Sequence, residues 1–215
     1  MLTLHAFPPS PRAFKVLAVA HHLGCDYALK HVDLFQGEQR RESFAAMNPN
    51  RRMPVLEEDG FTLWESNAII EYLAMRERNE ELLPTAPRAR ADVARWLFWE
   101  STSWDPACLT LIYEHFVKGA LGRGAPDPAE VAKGGERFRA VAEILDGQLD
   151  RHAFVCGERL TLADFALGSD LTLAVPGRLP LEGYPRIRRW YAAIEALPAW
   201  QRTRAMQRPA ETVRV

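Results

Sequence analysis

Residues 54–66 read Pro-Val-Leu-Glu-Glu-Asp-Gly-Phe-Thr-Leu-Trp-Glu-Ser, two short apolar runs around an Asp-Gly pair. The favoured two-residue hairpin turn needs positive φ at both central positions, and Asp59-Gly60 meets that need. An antiparallel pair is expected, Pro54–Glu58 against Phe61–Trp64. From Ser66 to Met75 the spacing changes to that of a helix, with Ala68, Ile69, Tyr72 and Leu73 on one face. Toward the N-terminus, Leu2–Phe7 predicts a first strand and Pro11–Leu23 a helix carrying Phe14, Leu17, Ala18 and His21 on one stripe, closed by Gly24. Tyr27–Val32 predicts a second strand. The polar stretch Gly37–Asn50 has room for one short helix around Glu42–Met47. The order is β-α-β-α-β-β-α. A helical crossover between the first two strands makes them parallel, and the hairpin makes the last two antiparallel.

Pro84-Thr85-Ala86-Pro87 interrupts this pattern, and no convincing strand follows it. Arg88–Ala120 is one long helical pattern rich in tryptophan, with a kink expected at Pro106. A Gly/Pro loop, Gly122–Pro128, precedes a second helix to about Arg151. Thr161-Leu162-Ala163-Asp164 opens a third as a capping box, and Pro185–Leu197 gives a fourth. The expected architecture is an α/β domain over residues 1–80 and an all-helical domain over 87–208.

Composition narrows the function classes. The 215 residues are 47% hydrophobic and 26% charged, the proportions of a folded globular chain. Lysine plus arginine is 27 against 28 acidic residues, so no basic surface for nucleic acid is indicated. Cys25, Cys108 and Cys156 stand far apart without a CxxC pair, and the six histidines lack metal-ligand spacing. Reduced thiols in a cytoplasmic protein are the simplest reading. The first residues carry no basic, apolar leader, and no long uncharged run predicts a membrane span.

Four segments, in this order and on these elements, resemble the cytosolic glutathione S-transferase family over about residues 1–200: Ser10–Leu17, Asn48–Leu56, Glu65–Leu73 and Gly157–Phe165. The resemblance implies a thioredoxin-like first domain, an all-helical second domain and a homodimer. It also implies glutathione as co-substrate, with no metal or redox cofactor. A serine before the first helix looks like the theta- and phi-type members. The implied chemistry is attack of a glutathione thiolate on a small electrophile in an apolar pocket, as in detoxification. Two alternatives stay open: a glutathione-dependent disulfide reductase or isomerase on the same fold, and a non-catalytic interaction protein that kept the fold.

Each implied role competes with an ordinary one. Ser10 before Pro11 reads as a routine helix cap, and by resemblance as the hydrogen-bond donor to the glutathione sulfur. Pro54 reads as a tolerated strand start. By resemblance it is a cis-proline that turns the Met53 backbone toward the cysteinyl unit. Glu65-Ser66 reads as an N-cap serine with an acidic neighbour, or as a clamp on the γ-glutamyl group, Ser66 for its carboxylate and Glu65 for its ammonium. Gln39, Arg40 and Arg52 align with contacts to the glycyl carboxylate, while Arg51 and Arg52 also read as a solvated pair. On the long helix, Trp104 and Tyr113 are the candidates for the second-substrate pocket, and core packing or dimer contact competes with that role.

Overall fold

The computed structural model describes residues 1–207. The chain divides into two compact units, one built from residues 1–78 with the segment from Glu195 onward, the other from residues 79–194.

In the first unit, β1 (Leu2–Ala6), β2 (Ala28–His31), β3 (Val55–Glu58) and β4 (Phe61–Trp64) form a sheet in the order β2-β1-β3-β4. β1 and β2 run parallel, with Leu4 beside Leu29. β1 pairs antiparallel with β3, and β3 with β4, as the Asp-Gly turn requires. Asp59 and Gly60 both have positive φ there, 49° and 85°. α1 (Pro11–Leu23) makes the crossover, ending at Gly24 in the left-handed region. α2 is Glu42–Met47 and α3 is Ser66–Arg76. Tyr72 donates to Glu58 Oε2 (2.7 Å) and Arg76 to Glu58 Oε1 (2.7 Å), fastening α3 to the end of β3.

α1 is buried from Ala13 to Ala20 without a break. A helix buried all round needs cover on more than one side, and α3 and a C-terminal helix both pack on it. Even Lys15 is enclosed, its ammonium donating to Asn67 Oδ1 of α3 at 2.9 Å.

The second unit contains a single long helical path. α4 (Pro87–Trp99), α5 (Asp105–Ile112) and α6 (Lys118–Ala120) are joined without a break by two π-helical turns, Glu100–Trp104 and Tyr113–Val117. The first turn lies just before Pro106, which has no N–H to donate to the carbonyl four residues back and whose ring crowds that carbonyl, so the wider turn takes up the expected kink. α7 (Pro128–Gln148) packs along α5, and α8 (Leu162–Asp170) is wholly buried. Asp164 organises this core, accepting from Val155 N (2.9 Å), Thr161 N (2.8 Å), the Thr161 hydroxyl (3.1 Å) and Trp190 Nε1 (2.9 Å). Burial pushes its carboxyl up in pKa while these donors pull it back.

α9 (Pro185–Glu195) ends earlier than expected, and Pro198 opens a further helix, α10 (Pro198–Ala205), that sequence reading did not anticipate. α10 packs on α1, its Trp200 ring edge-on to Phe14 at 4.7 Å. By their contacts, residues 195–207 cluster with the α/β unit, where sequence reading had placed them in the helical domain. The expected end at 208 itself lies outside the described residues.

A hydrogen-bonded chain secures α10. The Thr203 hydroxyl donates to Ala199 O (2.8 Å), so it accepts from His21 Nδ1 (2.8 Å), and the Tyr27 hydroxyl donates to His21 Nε2 (2.9 Å). Both contacts suit a neutral ring. Burial, reinforced by nearby Arg202, lowers the His21 pKa from 6.5 to about 4. Between those values the unfolded chain binds a proton that the folded chain refuses. The expected outcome is stability that falls as pH drops from about 6.5 to about 4, with no further His21 contribution below. Denaturant midpoints across that window should fall more steeply for the wild type than for His21→Gln, whereas parallel profiles would contradict it.

Candidate functional site

Strand register gathers the expected residues at one end of the sheet. Val55 lies opposite His5 on one side and Trp64 on the other, so Met53-Pro54 continues beside Phe7, and Glu65-Ser66 beside Pro54. β2 runs parallel to β1, with His31 opposite Ala6, so the segment leading to Gln39 and Arg40 leaves from the same end. Thus Ser10, the Gln39–Arg40 turn and Glu65-Ser66 follow the ends of β1, β2 and β4, and Met53-Pro54 leads into β3, all at one end of the sheet.

Ser10 is the N-cap of α1 with extended backbone, φ −75° and ψ 130°. Its amide donates to Phe7 O (2.8 Å) and its carbonyl accepts from Phe14 N (2.8 Å). Its hydroxyl makes no bond to the helix it caps. That separates it from an ordinary capping serine, whose oxygen accepts a first-turn amide. A half-buried hydroxyl therefore stands at the positive end of a helix with no hydrogen-bond partner among the described residues.

Met53-Pro54 is cis, as the resemblance implied. The Met53 side chain is buried with Val32, Phe44 and Val55, against Phe7, Leu34 and Met47. That burial leaves only its backbone groups for any ligand. The turn before it is tied by Asn48, a residue given no role from sequence: its Nδ2 donates to Arg52 O (2.5 Å), and its Oδ1 accepts from Asn50 N (3.0 Å). An asparagine side chain that bonds a neighbouring backbone is a recognised turn signal, and the Asn-Pro-Asn stretch carried it.

At the third helix the expected cap shifts by one. Glu65 is the N-cap and Ser66 the first helical residue. Glu65 has φ 73° and ψ 114°, unusual for any residue with a side chain. Such a conformation costs on the order of 1–3 kcal/mol and persists where neighbouring structure enforces it, often at ligand clamps. It leaves the Glu65 side chain exposed and Ser66 buried beside the first-turn amides. No reciprocal cap forms.

Gln39 and Arg40 lie in a 3-10 turn, Glu38–Arg40. The Gln39 Oε1 is buried without a hydrogen-bond partner. Arg40 and Arg52 are exposed, and neither is engaged by a carboxylate among the described residues.

The two candidates on the long helix part company. Trp104 is completely buried, its indole N–H donating to Leu167 O at 3.0 Å and its ring tilted against Phe138 at 5.5 Å. It is a core residue, and its proposed pocket role is withdrawn. Tyr113 is half-buried in the second π turn, its hydroxyl receiving a 3.3 Å bond from Arg123. All three cysteines are free, and burial pushes every one of them up, Cys25 to about 11, Cys156 to about 12 and Cys108 well above the ordinary range. None is a thiolate at neutral pH.

Comparison with known proteins agrees with this layout. The family model for the N-terminal domain of glutathione S-transferases matches residues 1–75, and that for the C-terminal domain matches residues 128–193. The chain is 36% identical to glutathione S-transferase 3 of Zea mays over 94% of its own length and 92% of the relative's. Among solved structures, glutathione transferase F7 of Populus trichocarpa superposes with a TM-score of 0.90 at 27% identity, covering 97% of this chain and 100% of that one. A glutathione S-transferase of Pseudomonas fluorescens gives 0.84 at 31% identity, over 92% and 96%. The chain therefore belongs to the glutathione S-transferase family and is a transferase of that family.

Proposed function

We propose that the protein conjugates glutathione to a small electrophile, with Ser10 stabilising the glutathione thiolate by hydrogen bonding. The observation that carries this is the uncommitted Ser10 hydroxyl at the start of α1. A free thiol with pKa about 8.5 is only a few per cent ionised at pH 7. Lowering it by two units takes about 2.7 kcal/mol. A hydrogen bond to a charged acceptor supplies about 1.5–3 kcal/mol, and a helix N-terminus about 0.3–1 more. These terms suffice without a general base. Backbone groups of Met53 pair with the cysteinyl unit in strand fashion. Ser66 and the first amides of α3 take the γ-glutamyl carboxylate, and Glu65 takes its ammonium. Gln39, Arg40 and Arg52 supply donors and positive charge for the glycyl carboxylate. Tyr113 remains the candidate beside the electrophile. The raised thiol pKa values speak against a cysteine-based disulfide reductase, and free cysteines suit a cytoplasmic setting.

A homodimer is part of the same reading. Phe61 and Trp64 are exposed on the edge strand β4, Met75 at the end of α3, and Phe98, at 72% exposure, on α4. An edge strand bearing exposed aromatics ordinarily has a partner.

Three outcomes are expected. Ser10→Ala should leave glutathione affinity nearly intact while moving the pH profile of kcat/KM for conjugation up by about one to two units; an unmoved profile would reduce Ser10 to a helix start. Glu65→Gln should weaken glutathione binding by about 1.5–3 kcal/mol in calorimetry, and unchanged affinity would remove Glu65 from the clamp. Light scattering at micromolar concentration should give twice the chain mass, and a monomer mass would reject the dimer.

A further inference from the structure

The loop between α6 and α7, residues 121–127, is exposed throughout, yet it is fastened at both ends. Where it leaves α6, Gly122 N donates to Gly119 O and Arg123 N to Lys118 O, both at 2.9 Å. Gly122 and Gly124 supply positive φ, 65° and 97°, on either side of Arg123, a backbone path that residues with side chains rarely take. Where the loop enters α7, Asp127 N donates to Glu114 Oε2 at 2.7 Å, and the Asp127 carboxylate accepts from Ala129 N at 2.8 Å.

This path returns Arg123 to the helix that the chain has just left. Its Nη1 donates to the Tyr113 hydroxyl oxygen at 3.3 Å, ten residues back. Tyr113 opens the second π turn, Tyr113–Val117, and such turns recur at functional sites. Leu109 lies one turn earlier on the same face, 39% exposed, and gives apolar surface beside the hydroxyl.

The charges around this contact do not balance. Buried Glu114 is taken by Lys118 Nζ at 2.8 Å as well as by Asp127 N, so Lys118 has its counter-charge. The Arg123 guanidinium has no carboxylate partner among the described residues. A guanidinium presents several N–H donors, and the bond to Tyr113 meets an uncharged oxygen. Because that oxygen accepts from Arg123, the phenol O–H is left as a second donor, with no acceptor among the described residues. A cation and a hydroxyl donor side by side, next to apolar surface, match a carboxylate carried on an apolar body.

We infer that Arg123, held on Tyr113, selects electrophilic substrates that carry a carboxylate, with the guanidinium and the phenol O–H both donating to it. This rests on the reading that places Tyr113 beside the electrophile, and it assigns the charge preference there to a residue given no role from sequence.

The test compares 4-chloro-3-nitrobenzoate with 4-chloro-3-nitrobenzamide as electrophiles for the full-length protein. In both, the glutathione sulfur bonds to the ring carbon that bears chlorine, and chloride leaves. Their different intrinsic reactivities cancel when a variant is compared with the wild type. Arg123→Gln should lower kcat/KM for the carboxylate at least about fivefold relative to the carboxamide, mainly through KM. Arg123→Lys, which keeps the charge and loses the planar fork, should retain part of the preference. Added salt should shrink the carboxylate-to-carboxamide ratio in the wild type and leave it unmoved in Arg123→Gln. An unchanged ratio in Arg123→Gln, or a wild-type ratio indifferent to salt, would overturn the inference while leaving conjugation standing. Failure of the wild type to conjugate either electrophile would instead overturn the conjugation reading, and the inference with it.

Discussion

The structure of the first unit turns on a helix that cannot face water. Every residue of α1 from Ala13 to Ala20 is buried, and α3 and α10 both pack on it. That enclosure fixes where α1 begins relative to the strand ends. Phe14 seats Trp200, Lys15 reaches Asn67 at the start of α3, and His21 holds Thr203 of α10. The two helix starts proposed to carry the chemistry, Ser10 and Glu65-Ser66, are held by the same packing. A C-terminal helix far from both in sequence thus supports their positions.

Helix starts are useful here because they arrive with unmet donors and a partial positive charge. Glutathione offers anionic groups that such donors suit: a thiolate and two carboxylates. The proposed site meets them with two helix starts, one cis-proline turn and two exposed arginines, placed by strand termini at one end of the sheet. The Ser10 hydroxyl leaves its own helix uncapped, and Glu65 accepts an unusual backbone conformation. Both departures from ordinary helix geometry sit where ligand groups are proposed to bind, as local strain often does.

Short-range signals made much of this legible in sequence. The Asp59-Gly60 turn, the Gly24 stop and the Pro11 start each rest on backbone preferences that neighbours scarcely alter, and the corresponding elements formed within a residue or two. What depends on tertiary contact was not legible. α10 is short and largely polar, and only its packing on α1 assigns it to the first unit. Trp104 closes a π turn that shifts the phase of the long helix, and its ring turns into the core. Ser66 moved from cap to first turn because the exit from β4 puts positive φ at Glu65. Asn48 was visible in the motif, but its grip on Arg52 O needs the folded turn.

The most direct test of Ser10 as the thiolate's hydrogen-bond donor is the ultraviolet absorbance of bound glutathione thiolate, titrated against pH at saturating ligand in the wild type and in Ser10→Ala. The expected result is a wild-type midpoint about two units below the free thiol's, with most of that difference lost in the variant. Coincident titration curves would contradict it, leaving Ser10 as no more than the residue before a helix.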